Sequence, residues 1–78
     1  MPYVVGENNR LCSNKGKRDL DEYNCKKAAE EMGLSFYVEN EFDYPKGCYK
    51  INGVFFNKHS VGSRWQYAAP ICSNQGED

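Results

Sequence analysis

The apolar and polar positions follow a helical period between residues 20 and 33. The buried-type residues of this stretch recur three or four positions apart: Cys25, Ala28, Ala29 and Met32. Residues three or four apart share one face of a helix, and charged side chains fill the other positions. Asp19 followed by Glu22 fits a capping box, and Gly33 is typical of a C-cap. The pattern predicts one helix over about residues 20–32.

Beyond the helix, short runs of aromatic and β-branched residues alternate with turn formers. Leu34 to Val38 predicts a strand that the helix buries, and the acidic stretch 39–47, with its proline and glycine, predicts a loop. Two further runs flank Asn52-Gly53, a dipeptide that tolerates positive φ at both positions. We therefore predict an antiparallel hairpin with a type I′ turn over residues 48–57.

A two-residue turn would fix which side chains of the hairpin share a face. It places Ile51 opposite Val54 and Tyr49 opposite Phe56, with Cys48 and Phe55 on the other side. Either the segment 58–70 or the strand Tyr3-Val4-Val5 covers the first group, or that group forms an exposed patch of the kind that contacts partners. The candidate binding surface comprises Tyr49, Ile51, Val54, Phe56, Arg64, Trp65 and Tyr67.

Four cysteines, Cys12, Cys25, Cys48 and Cys72, are spaced widely, without a CxxC pair. Structural zinc usually takes its ligands in close pairs, so this spacing disfavours zinc. An even count in a short chain favours two disulfides over free buried thiols. The sequence does not choose among the three pairings, although a bridge from the predicted helix to the predicted hairpin would join Cys25 to Cys48.

The size of the chain explains why disulfides matter. At 78 residues there is room for one domain, and the core of such a domain seldom contributes more than about 3–5 kcal/mol. The ten basic and eleven acidic residues are spread along the chain, which disfavours nucleic acid as a partner. No apolar run is long enough for membrane insertion. The cysteines therefore indicate a secreted, extracellular location.

Few residues carry a recognisable chemistry. His59 and Ser60 suggest a nucleophile and its base, but neighbours on a strand point apart, so we predict no catalytic site and a solvent-exposed histidine. The acidic side chains of residues 39–43 suit calcium but lack the pattern of an EF-hand loop. We therefore expect no metal site and no cofactor.

Two further clusters suggest ligands. One cluster is basic and comprises Lys15, Lys17 and Arg18, with Arg64 near Trp65 as a candidate fourth member. It would suit a sulphated glycan or an acidic protein. The simpler interpretation is an ordinary charged loop. Four aromatic residues are able to stack on sugars, or else to fill the core: Tyr37, Tyr44, Trp65 and Tyr67.

The order of features resembles the PAN/apple family. A first cysteine precedes a helix that carries Cys25, then come the aromatic strand 35–37, the motif Gly47-Cys48-Tyr49 on a hairpin, and a last cysteine. The resemblance spans about Cys12 to Cys72 and implies the pairs Cys12–Cys72 and Cys25–Cys48. It also implies a non-catalytic extracellular module that recognises proteins or carbohydrates. The innermost bridge of many members is absent, since Ala29 stands at its helical position.

Together these observations predict an α+β fold: one helix packed on a small antiparallel sheet and held by two disulfides. Residues 1–78 form a single module with its core at about 12–72 and a flexible tail at 73–78. We expect a monomeric, non-catalytic recognition module that binds protein or carbohydrate. The alternative is a structural spacer or repeat domain, or a small secreted effector, with no ligand pocket.

Overall fold

The computed structural model describes residues 3–12 and 18–73. Within these ranges the chain forms six strands and one helix, in the following order. The elements are β1 (Tyr3–Val5), β2 (Arg18–Asp19), α1 (Glu22–Met32), β3 (Phe36–Glu39), β4 (Pro45–Lys50), β5 (Val54–Gly62) and β6 (Ala69–Ser73). This confirms the α+β class.

The strands form one mixed sheet in the order β1-β6-β4-β5-β3, and β2 also pairs with β6. β3 runs parallel to β5, and all other pairs are antiparallel. The prediction of a small antiparallel sheet is therefore wrong in both size and direction. Both edges of β4 are paired, one with β5 and the other with β6. β3 therefore pairs with the free edge of β5, parallel to it.

The helix begins at Glu22, and Asp21 is its N-cap. The Asp21 carboxylate accepts a hydrogen bond of 2.8 Å from the backbone N–H of Asn24. The predicted cap, Asp19, lies instead in β2, because it pairs with Cys72 of β6. At the other end the prediction is confirmed: Gly33 has φ 71°, and Leu34 N–H donates to the Ala29 carbonyl at 3.0 Å.

The hairpin between β4 and β5 has a three-residue connection. Lys50 pairs with Val54, so residues 51–53 lie between the strands, and φ is positive at Asn52 but not at Gly53. The predicted two-residue type I′ turn is wrong. In such a turn the Val54 N–H would donate to the Ile51 carbonyl. It donates instead to the carbonyl of Ser35, the residue just before β3, at 2.8 Å. The parallel neighbour therefore competes with the turn.

This shift of one residue exchanges the faces of β5. Val54 and Phe56 lie on the side of Cys48, and Phe55 lies on the side of Tyr49. The Cys25–Cys48 disulfide joins the helix to this first side, which we call the helix face. Its core includes Tyr3, Leu20, Ala28, Ala29, Val54 and Ile71.

The sheet extends past the predicted limits of the core. β1 precedes Cys12 and contributes the buried Tyr3, and Ser73 pairs with Tyr3. The predicted tail therefore loses its first residue to β6, and the rest of the tail, 74–78, lies outside the described residues. The Cys12–Cys72 disulfide closes this end of the sheet.

β4 and β5 are also longer than predicted. β4 begins at Pro45, which pairs with Gly62 at the end of β5, so the predicted loop shortens to residues 40–44. Gly62 has φ 62°, and a Cβ there would lie 2.6 Å from both Lys46 N and the Tyr44 carbonyl oxygen. Only glycine allows the two strands to approach so closely at this point.

Candidate ligand-binding face

Six aromatic side chains are linked by ring contacts on the side of the sheet opposite the helix. We call this side the aromatic face, and its rings belong to Tyr37, Tyr44, Tyr49, Phe55, Trp65 and Tyr67. Tyr37 and Phe55 are neighbours because β3 pairs with β5, and Tyr49 lies opposite Phe55 because β4 pairs with β5. The remaining three rings come from the loops before β4 and after β5.

Four of the rings form a stacked ladder. The ring centroids are 5.0 Å apart for Tyr37 and Phe55, 5.3 Å for Phe55 and Tyr49, and 5.9 Å for Tyr49 and Tyr44. The planes of each pair are within 26° of parallel, which is the offset-stacked arrangement that aromatic rings favour. The two middle rings, Phe55 and Tyr49, therefore have a ring against each face.

The last two rings meet at steep angles. Trp65 lies 6.1 Å from Tyr44 and 5.7 Å from Tyr67, with an interplanar angle of 73° in both pairs. We call Trp65 and Tyr67 the aromatic corner. Beside it lies an open depression of about 470 Å³, which the corner shares with Asn8, Lys50, Ile51, Asn52 and Ala69.

The buried middle ring of Tyr49 is anchored by a polar contact. The Tyr49 hydroxyl donates a hydrogen bond to the Glu39 carboxylate. Burial raises the pKa of Tyr49 well above its ordinary value of 10.0, and the bond to Glu39 raises it further. Tyr49 is therefore a neutral phenol at physiological pH, and Glu39 serves as its acceptor.

A buried amide fixes the strand irregularity next to the ladder. The Asn57 side-chain nitrogen donates to the carbonyls of Glu41, Tyr44 and Pro45, at 2.7, 3.0 and 3.0 Å. Its oxygen accepts from the backbone N–H groups of Glu41 and His59, at 2.9 and 3.1 Å. One side chain thus ties the loop 40–44 to β5 at the point where the pairing with β4 is interrupted.

His59 has a structural role that the sequence did not reveal. Its Nδ1 accepts hydrogen bonds from the backbone N–H groups of Val61 and Gly62, at 3.1 and 2.9 Å. The ring is half-buried and lies 5.5 Å from Phe42. The prediction of a solvent-exposed histidine is therefore wrong. An acceptor Nδ1 carries no proton, so this nitrogen is committed to the backbone.

The candidate binding surface is divided between the two sides of the sheet. Tyr49, Trp65 and Tyr67 lie on the aromatic face, and Ile51 lines the depression. Val54 and Phe56 pack on the helix face instead, so the prediction is wrong for both, because the hairpin register moved by one. Arg64 is exposed next to Trp65.

Sequence reasoning missed Phe55, which a three-residue connection would have placed beside Tyr49. It also left open whether the second side of the hairpin is covered. Tyr49 is buried there, between the Phe55 and Tyr44 rings. The four residues noted for sugar stacking, Tyr37, Tyr44, Trp65 and Tyr67, all belong to the aromatic face.

The other sequence clusters fall as follows. Lys15 and Lys17 lie outside the described residues, and Arg18 is exposed in β2. In residues 3–12 and 18–73, no group of three or more His, Cys, Asp or Glu side chains is placed to hold a metal ion. Over the same ranges, no helix is long and apolar enough to cross a membrane.

No protein-family model matches this chain, and no curated protein or solved structure is significantly similar to it. Function must therefore be argued from the geometry of the molecule.

Proposed function

We propose that this domain is a non-catalytic recognition module of a secreted or surface protein, and that its ligand docks on the aromatic face. The observation that carries this proposal is the exposure of large rings. Tyr37, Trp65 and Tyr67 are 52 %, 38 % and 61 % exposed, although they adjoin a well-ordered ladder. Exposed aromatic clusters with polar neighbours are typical of binding surfaces, where tyrosine and tryptophan provide much of the affinity.

The two disulfides support the extracellular part of the proposal. They are nested, with Cys12–Cys72 enclosing Cys25–Cys48, and such bridges persist in oxidising compartments. The nested pairs also agree with the PAN/apple resemblance, which we retain as a proposed relationship. That resemblance implies a helix cradled on a sheet in a module that recognises proteins or carbohydrates.

Two alternatives account for less of the molecule. A spacer or an effector without a ligand pocket would give no reason for the depression beside Trp65 and Tyr67. An enzyme built on His59 would have only Nε2 for proton transfer, because Nδ1 already accepts two backbone hydrogen bonds. A monomeric binding module therefore fits the described residues better.

The test is binding of the refolded, disulfide-intact domain to a glycan array and to an array of extracellular proteins. A strip variant, Tyr37→Ala with Tyr67→Ala, removes exposed rings from both ends of the aromatic face. Tyr23→Ala is the matched control, because Tyr23 is equally exposed but lies on the helix. We expect the strip variant to lose signals that the control retains. A ligand that needs Tyr23 contradicts the proposal, and a folded domain that binds nothing favours the spacer.

A further inference from the structure

The arrangement of the rings decides which of them are available to a ligand. Phe55 and Tyr49 each have neighbours on both faces, so neither ring has a face left for stacking. Tyr37 ends the ladder and does not line the depression beside Trp65 and Tyr67. The aromatic corner differs, because Trp65 and Tyr67 contact each other and also line an open depression.

The shape of the corner suits a small ring better than an extended flat surface. The planes of Trp65 and Tyr67 meet at 73°, with centroids 5.7 Å apart. One ring is thus able to lie under a ligand while the other forms a wall at its side. The adjoining volume of about 470 Å³ lies in the range of ordinary small-ligand sites.

Besides the apolar Ile51 and Ala69, the lining contains polar residues whose side chains are unpaired among the described residues. Asn8, Lys50 and Asn52 line the depression, and no hydrogen bond or ion pair with residues 3–12 or 18–73 engages their side chains. The two amides each offer donors and acceptors, and the lysine offers donors only. A ligand for this site must therefore combine an apolar face with several hydroxyl-type groups around its rim.

We infer that the aromatic corner binds carbohydrate, with one pyranose unit stacked on Trp65 or Tyr67 and its hydroxyls bonded to Asn8 and Asn52. A pyranose ring has an apolar C–H face and a rim of hydroxyl groups, which matches this lining. This inference rests on the proposed function and names the ligand class. A protein partner is the competing outcome, and the experiment below separates the two.

Trp65 is the only tryptophan of the chain, so its fluorescence reports on this site alone. We would titrate the disulfide-intact domain with purified cellohexaose, laminarihexaose, chitohexaose, xylohexaose and mannohexaose. The expected result is a saturable change in Trp65 emission with at least one of them. Calorimetry with the same sugar then measures affinity where a variant lacks the tryptophan.

Variants locate the bound sugar. Trp65→Ala and Tyr67→Ala should each weaken binding by at least about tenfold, as truncation of an aromatic anchor does. Asn52→Ala should weaken it by a smaller factor. Tyr23→Ala on the helix should stay within about twofold. Urea unfolding of each variant shows whether it remains folded. If Trp65→Ala does not fold, Trp65→Phe, which keeps a ring, is measured in its place.

Two results would overturn the inference. They are no emission change and no heat with any of the five sugars, or equal affinity of wild type and the Tyr67→Ala variant. If the sugars fail while a protein on the array binds through the aromatic face, only the carbohydrate inference fails. If the bound ligand requires Tyr23, the proposed function fails as well.

Discussion

The helix face and the aromatic face of the same sheet are covered in different ways. On the helix face, a covalent bond from Cys25 to Cys48 holds the helix against β4, and small or aliphatic side chains such as Ala28 and Ile71 fill the space. On the aromatic face, no helix or strand within residues 3–12 and 18–73 covers the sheet, and the rings cover one another. The first arrangement buries its central residues almost completely, whereas the second leaves ring surfaces at its ends.

The difference shows how a small domain is able to keep an exposed binding surface without losing its shape. Rigidity comes from the disulfides and from the helix face, so the aromatic face does not have to be buried to keep the fold together. Its inner rings are still fixed, by stacking and by the Tyr49–Glu39 bond. The end rings are held in place by their neighbours and remain accessible.

The largest expected effect comes from removal of the helix-to-sheet bridge. Cys25→Ala with Cys48→Ala should lower the free energy of unfolding by about 4 kcal/mol, of which the chain-entropy model gives about 3 kcal/mol and the emptied volume the remainder. Urea unfolding followed by circular dichroism measures this, with the exposed Lys26→Ala as control. A double variant as stable as wild type would show that the helix face does not depend on its covalent bond.

The next effect concerns the buried amide beside the ladder. Asn57→Ala should cost about 3 kcal/mol, because three carbonyls and two N–H groups lose their partner. Asn57→Asp should be as damaging, since a carboxylate cannot donate to the carbonyls. Lys58→Ala, at an exposed neighbour, is the control. If Asn57→Asp unfolds at the same urea concentration as wild type, the aromatic face does not need this anchor.

A smaller effect is expected at Tyr49, the buried ring inside the ladder. Tyr49→Phe keeps the ring but removes the hydrogen bond to Glu39, and should cost about 2 kcal/mol at neutral pH. The comparison is with Tyr44→Phe, whose ring stacks on the other side of Tyr49. Equal stability of Tyr49→Phe and wild type at neutral pH would mean that stacking alone positions the ring.

The same bond predicts a pH dependence. The folded-state pKa of Tyr49 lies above the ordinary value of 10.0, so its contribution is fully present below pH 10 and is lost as the pH rises through the folded-state pKa. The stability of wild type should therefore fall more steeply above pH 10 than that of the Tyr49→Phe variant. Parallel slopes for the two proteins would count against a buried phenol.

The smallest effect is expected at the free end of the ladder. Tyr37→Ala should lower the free energy of unfolding by less than about 1 kcal/mol, because Tyr37 is about half exposed and has one stacking neighbour. Tyr37→Phe should be neutral. If Tyr37→Ala lowered the free energy of unfolding as much as Asn57→Ala, the ladder would be a second core and not an exposed surface held in place by the fold.

Local signals were enough for the helix and for the approximate positions of β1, β3 and the β4–β5 hairpin. The spacing from Cys25 to Met32 and the glycine at 33 act within a few residues, so the sequence identified them correctly. The N-cap was misplaced by two residues because two aspartates compete, and the pairing of β2 with β6, distant in the chain, decides between them. A pairing between residues so far apart in the chain leaves no signal in the sequence around the helix.

The hairpin register and the aromatic face depend on contacts between distant parts of the chain. Asn52-Gly53 favours a two-residue turn, but Ser35 accepts the Val54 N–H and moves the register by one. That shift sends Val54 and Phe56 to the helix face and brings Phe55 beside Tyr49 and Tyr37. The sequence noted several of these rings separately, without the register that assembles them.

The sequence by itself determined the helix, the presence of a hairpin and the need for disulfides, because periodicity, turn residues and cysteine count act locally or through composition. The tertiary structure alone decided which side chains share a face of the sheet. The side-chain period of a strand is two, so one hydrogen bond to a distant strand is enough to reverse every assignment along it.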